Sequence, residues 1–188
     1  VSQAQCAVRL SRLRGRYTRH EKYKLGREMH QMLLQRVLDG DKSAEIEFGE
    51  SEYCAIIDWR DGAQEIVEAV ASYLPDGYLE IGQVTEQACE LIVVGQAPVL
   101  VELSPAALQE RLLLSISNAI APNYELRQFR PMDGDSYSIF VASSSVWADM
   151  DSKNPQAAER VFLSAKRLAA YWSKGFISGC SVGHERAA

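Results

Sequence analysis

The sequence predicts an α+β fold: a mixed, mostly antiparallel sheet packed by helices, preceded by a basic helical segment. Three observations carry this. Apolar residues recur at helical spacing in several stretches. Short β-branched and aromatic runs lie between those stretches, bounded by Gly, Pro, Asn and Asp. The two kinds of run interleave, which places helices against a sheet in one body. At 188 residues and 47% hydrophobic content, the chain can bury a core without metal or disulfide staples.

The first element spans about residues 3–38. Leu25, Met29, Met32, Leu33 and Val37 form an apolar stripe in its second half, whereas Gly15 and Gly26 weaken its first half. Asp39-Gly40-Asp41 stops it. Residues 44–48 alternate and predict a strand, with Ile46 and Phe48 on one face and Glu45 and Glu47 on the other. Gly49-Glu50-Ser51 then reads as a hairpin connection to a more apolar, central strand over 53–59.

Asp61 has the position of an N-cap, with Gln64 placed to close a capping box. The helix after it turns Ile66, Val67, Val70 and Leu74 inward, and Pro75-Asp76-Gly77 ends it before a short strand at 78–81. Residues 82–87 give no clear signal. Residues 89–94 and 99–103 read as strands joined by Gly95-Gln96-Ala97-Pro98. Ser104 and Pro105 supply a cap and a first helical residue for a helix carrying Leu108, Leu112, Ile116, Ala119 and Ile120. Pro122-Asn123 ends it. Residues 124–130 and 136–143 form a hairpin around Met132-Asp133-Gly134-Asp135. Asn154-Pro155 starts a last long helix with Val161, Ala165, Leu168 and Trp172 on one face, and Gly175 stops it.

The organisation that follows is a basic helical segment at 1–40, an α+β domain at 41–177 and a loose tail at 178–188. Residues 53–81 and 99–130 share an order of strand, helix, Pro-turn and Tyr-led strand. They read as two ββαβ-like units side by side in one sheet; the plainer alternative is that helix, Pro-turn and strand simply recur.

Charge is sharply segregated. Residues 1–36 hold nine bases against two acids, a net +7. Residues 37–80 hold twelve acids against Lys42 and Arg60, a net −10. The remainder is near neutral, and the whole chain is −5. Such blocks steer partners without determining fold.

Motifs exclude more than they propose. There is no phosphate-cradling loop, no GxSxG elbow and no HExxH. Ser143-Ser144-Ser145 lacks flanking glycines and reads as a loop and helix cap. Cys6, Cys54, Cys89 and Cys180 form no CxxC pair and read as free thiols. His20 and His30 are ten residues apart, which on one helix puts them about 15 Å apart, and His184 lies in the tail. No metal and no cofactor is therefore expected. The local carboxylate pairs Asp58/Asp61, Asp133/Asp135 and Asp149/Asp151 read as turn and helix-end residues; a small hydrolase needs one such carboxyl in an apolar pocket. No apolar run approaches the roughly 18 residues that span a bilayer. The basic start lacks the apolar core of a secretory signal, so a cytoplasmic protein is expected.

Two charged constellations remain as candidates. Arg9, Arg12, Arg16 and Arg19 fall at three- and four-residue steps, which lines them along one side of a helix as phosphate ligands, with Tyr17 and Tyr23 placed to stack on bases. Glu45, Glu47, Glu50, Glu52, Asp58 and Asp61 form an acidic patch suited to a basic cleft on a protein partner. The expected function is non-catalytic protein binding, in its most concrete form a bacterial immunity or inhibitor protein that neutralises a toxin or effector. A nucleic-acid-associated regulator using the basic arm is the alternative, and the small hydrolase is a third. A homodimer is compatible with all three.

Overall fold

The computed structural model describes residues 31–104, 107–132, 136–164 and 167. Arg9, Arg12, Arg16, Arg19, Tyr17, Tyr23, the three histidines, Cys6, Cys180, Asp133 and Asp135 lie outside the described residues. So do Pro105, Ala165, Leu168, Trp172, Gly175 and the 178–188 tail.

The fold is α+β, with two antiparallel sheets among the described residues. In chain order the elements are helix α1 (31–38), α2 (Lys42–Gly49), β1 (Ala55–Asp58), α3 (Ala63–Ala71), β2 (Leu79–Val84), β3 (Ala88–Val93) and β4 (Val99–Glu102). There follow α4 (Leu108–Ile120), β5 (Tyr124–Phe129), a 3₁₀ turn (Arg130–Met132), β6 (Ser136–Ser143), α5 (Ser144–Lys153), α6 (Pro155–Val161) and β7 (Phe162–Ser164). One sheet runs β1-β6-β5-β7 and the other β2-β3-β4.

The four-stranded sheet is apolar on both faces. Along β6, Ile139 and Val141 turn one way and Phe140 the other. The first face joins a core with Ile66, Val67 and Val70 of α3 and Leu112, Leu113, Ile116 and Ile120 of α4. Cys89, Leu91, Val93 and Val101 of the three-stranded sheet enter the same cluster, so both sheets close on the α3–α4 pair. The second face carries an aromatic cluster. Phe48 lies 5.0 Å from Phe129 and 5.4 Å from Phe140, ring centre to ring centre. Trp147 lies 5.2 Å from Phe162. Leu33, Leu34, Val37 and Leu38 of α1 complete this core, so the end of the 1–40 segment packs within the domain.

The main departure from the sequence-based expectation is at 44–48, which is helix α2 and not a strand. Asp41 caps it, accepting from the N–H groups of Ser43 at 2.9 Å and Ala44 at 3.2 Å. Gly40, at φ 88°, makes the sharp turn between α1 and α2 that a side chain would strain. Phe48 is then fully buried while Ile46 is 56% exposed, so the two do not share a face. Residues 49–51 end this helix instead of joining a hairpin.

Other elements also differ. Among the described residues β1 is an edge strand of its sheet, not a central one. Asp61 does not cap α3: Gly62 is the N-cap residue, without a side-chain cap, and Gln64 donates to Glu68. Helix α4 begins at Leu108; Ser104 contributes its carbonyl, which accepts from the Ala107 N–H at 3.0 Å. The last expected long helix stops at Val161, where Phe162 enters the aromatic cluster and the chain turns into β7 beside β5. Tertiary packing of one phenylalanine overrides helical spacing there.

The two ββαβ-like units do not lie in one sheet. Helix α3 leads from β1 in one sheet to β2 in the other, and α4 leads back from β4 to β5. Their matching Pro-turns nevertheless meet: the Tyr78 and Tyr124 rings are 4.9 Å apart, edge to face, and Asn123 donates to the Tyr78 hydroxyl at 3.1 Å.

The helical assignment of 42–49 has a direct test. Phe48→Ala should cost about 3–5 kcal/mol in urea unfolding. Ile46→Ala should stay within about 0.5 kcal/mol. On a strand the two residues would share a face, and the two losses would be alike.

Candidate partner-binding surfaces

The six acids expected to form one patch are dispersed. Glu45 is 3% exposed and is clamped by Lys42 at 2.6 Å and Arg160 at 3.2 Å. Arg160 also donates to the carbonyls of Val37 and Leu38, the open end of α1. Glu45 is thus a structural counter-ion beneath the α1–α2 corner. Glu47 points elsewhere and meets Arg36 at 3.5 Å. Glu50 and Glu52 remain exposed.

Asp58 and Asp61 close a turn. Asp61 accepts from the Asp58 N–H at 2.7 Å, and Arg60 reaches back to Asp58 at 3.0 Å. Hydrogen bonds from the Arg60 side chain and its N–H hold the Asp58 carboxyl below its ordinary value. Gln109 of α4 donates to the Trp59 carbonyl at 2.7 Å and fixes the turn against the core.

Arg36 is the described end of the basic segment, and it folds onto the acidic one. It binds Asp41 through two nitrogens, at 2.9 and 2.7 Å. Hydrogen bonds from Ser43, Arg36 and the Ala44 N–H hold the Asp41 carboxyl well below the usual carboxylate range. Among the described residues, four of the twelve acids of the −10 block are thus engaged in ion pairs: Asp41, Glu45, Glu47 and Asp58.

A cleft of about 680 Å³ lies beside β5 and includes Glu125, Arg127, Asp151 and Glu159 in its walls. Arg127 is 7% exposed and was not singled out by the sequence. Its guanidinium donates to Asp151 at 2.7 Å from each terminal nitrogen and to Glu125 at 2.7 Å from Nε. It also stacks 4.1 Å from the Trp147 ring centre. Burial opposes its charge, but the bonds to Asp151 and Glu125 outweigh burial and raise its pKa. The Arg127 hydrogen bond in turn lowers that of Asp151, the reverse of what a general acid needs. Asp151 is thus an anchor that ties α5 to the sheet. Its companion Asp149 pairs with Lys153 at 2.8 Å.

Cys54 and Cys89 are free and buried, and burial pushes the Cys54 thiol up to about 12. Neither has the environment of a nucleophile. Among the described residues, no group of three or more His, Cys, Asp or Glu side chains is placed to hold a metal. None of their helices is long and apolar enough to cross a membrane.

A different surface collects acids outside any ion pair with a described residue, of which Glu90 accepts from the Gln83 N–H at 3.3 Å, and exposed apolar groups. In the three-stranded sheet, Leu79, Cys89, Leu91 and Val101 turn inward. Glu80, Gly82, Glu90, Ile92, Leu100 and Glu102 alternate to the outer face. The register sets Glu80 opposite Ile92 and Glu90 opposite Leu100, with Glu102 opposite Ala88. Leu100 is 68% exposed and Ile92 36%. A side chain at Gly82 would come within 2.9 Å of Glu90 and 3.1 Å of Ile92, so this glycine lets both lie flat across the sheet. Among the described residues, no ion pair engages Glu80, Glu86, Glu90 or Glu102. The sequence carried this signal as alternation in 79–82 and 89–93. It was obscured because these acids fall in both the −10 block and the near-neutral remainder.

Compared with protein-family models, curated proteins and solved structures, the chain matches none of them.

The Arg127 anchor predicts a particular acid response. Asp151 holds its proton less tightly in the fold than in the unfolded chain. Its stabilisation is therefore complete above an ordinary aspartate pKa of about 3.9 and is lost as pH falls through the lower folded value. Asp151→Asn should lower stability at neutral pH and flatten the decline below about pH 4, read by urea unfolding across a pH series. An unchanged acid slope would assign that decline to other carboxyls.

Proposed function

We propose that this protein is a non-catalytic protein-binding module, and that the outer face of the three-stranded sheet receives a basic partner. The observation that supports the reading is the exposed pair Ile92 and Leu100 set among Glu80, Glu90 and Glu102, none of them in an ion pair with a described residue. Apolar groups supply the area that a partner removes from water. The surrounding carboxylates raise the encounter rate with a basic surface and fix its register. This is the design expected of an inhibitor that plugs a cationic cleft. The most concrete form of the proposal is accordingly a bacterial immunity or inhibitor protein acting on a toxin or effector.

This reading moves the binding acids from the 45–61 stretch to the sheet. Glu45 serves the α1–α2 corner, and Asp58 and Asp61 serve a turn. Charge reversal at Glu45 would damage folding and report nothing about binding.

The experiment is capture of the partner with the intact chain, followed by association kinetics. Combined Glu80→Lys, Glu90→Lys and Glu102→Lys should slow association at least about tenfold at low ionic strength. The difference should shrink as salt screens the charges. Unfolding curves should match the parent, because all three side chains sit on the outer face. Unchanged association at low salt would move the binding surface away from this sheet.

A further inference from the structure

We propose that β4 accepts an extended basic segment of the partner as an added antiparallel strand. This rests on the protein-binding reading and specifies how the sheet is used. Strand β4 ends the β2-β3-β4 sheet, so among the described residues one of its edges has no strand beside it. The hydrogen-bond phase identifies which groups that edge offers. Leu103 donates to Gln87 at 2.8 Å, so Leu103, and by period-two alternation Val101 and Val99, point their backbone groups toward β3. On the other flank, Val94 donates to Tyr78 at 3.1 Å, which fixes the opposite phase for β3 and agrees with this assignment. The N–H and C=O groups of Leu100 and Glu102 therefore point to the open edge.

The same two residues turn their side chains to the outer face, beside Glu90 and Ile92. The edge and the face are thus read together. A strand laid along β4 would bond to Leu100 and Glu102, and its outward side chains would meet Leu100, Glu102 and Glu90. Charge complementarity selects lysine or arginine at those outward positions, with apolar residues between them that cover Val99, 38% exposed on the inner side. A second copy of β4 supplies no positive charge to this acidic face, and in the register that sets Glu102 opposite Glu102 it opposes like charges directly. This is strand addition, in which main-chain bonds give affinity and alternate side chains give specificity.

Antiparallel pairing makes the proposal sharp. In that geometry the residues bonded to Leu100 and Glu102 have side chains on the same face as theirs, so the basic residues present their N–H groups to β4. The probe is a short peptide alternating lysine and valine, tested with the full chain by calorimetry and by hydrogen exchange. Binding should slow exchange at the amides of Leu100 and Glu102. N-methylation of the lysine amides should weaken binding at least about tenfold, whereas N-methylation of the valine amides should leave it nearly unchanged. A glutamate–valine peptide should not bind.

Equal affinity of the two methylated peptides, absence of lysine–valine binding, or equal binding of the glutamate peptide would overturn strand addition. A chain-side check uses Glu102→Gln, which removes charge alone, and Glu102→Pro, which also removes the outward N–H without breaking the bonds to β3. Glu102→Pro should lose markedly more peptide affinity than Glu102→Gln; equal losses would also overturn strand addition. The outer face as a site for a basic partner is tested separately by the kinetics of the lysine-substituted sheet.

Discussion

The structure depends on one constraint: the four-stranded sheet is apolar on both faces. Strand β6 puts Ile139 and Val141 on one side and Phe140 on the other, and neither side can be left in water. Helices α3 and α4 cover the first face; α1, α2, α5 and α6 surround the second. The three-stranded sheet is under a lesser constraint. Only its inner residues are apolar throughout, so it needs the α3–α4 pair on one side alone. Its other side is then free to carry exposed carboxylates and apolar side chains. Fold and candidate surface follow from the same difference between the two sheets.

How far this was legible depends on where packing agreed with local pattern. Residues 66–74 and 108–120 have clear helical stripes, and the cores use those stripes as read. The expected pairing of 124–130 with 136–143 is also found, as antiparallel β5 and β6, while the residues of its expected turn at 133–135 lie outside the described ones. Residues 44–48 mislead because five residues fit both periods. Alternation of Ile46 and Phe48 indicates a strand, while Asp41 followed by Lys, Ser, Ala and Glu indicates a capped helix. The choice is made by Phe48, which fits among Phe129, Phe140 and Phe162 only from the helix. Contacts 80 to 115 residues distant in the chain cannot be inferred from local periodicity. The same holds for Phe162, whose burial ends α6, and for Arg127, whose partner Asp151 is 24 residues away.

The charge map illustrates a second limit. Counting gives 37–80 a net −10, yet counting does not say which charges face water. Arg36, Lys42, Arg60 and Arg160 each reach an acid in that block. Two of those cations come from outside it, and Arg160 is more than a hundred residues on. What remains for a partner is set by pairing in the fold. Glu90 and Glu102, in the nearly neutral remainder of the chain, meet no ion-pair partner among the described residues. They therefore project more usable negative charge than Glu45 does.

The open edge of β4 bears on the same question. Exposed strand edges template aggregation, and proteins blunt them with brevity, proline and charge. Strand β4 has all three: four residues, Pro98 just before it and Glu102 at its end. These devices discourage pairing with any apolar strand, but they do not close the edge. Leu100 and Glu102 still offer their backbone groups, and Leu100 is the most exposed apolar residue on the sheet. An edge needing only protection would carry a polar residue there at little cost to the core, since Leu100 faces away from it. A leucine held between carboxylates instead imposes a selective condition: an incoming strand must bring positive charge as well as apolar area. In the proposed strand addition, protection against aggregation and selection of a basic partner are one property of the same four residues.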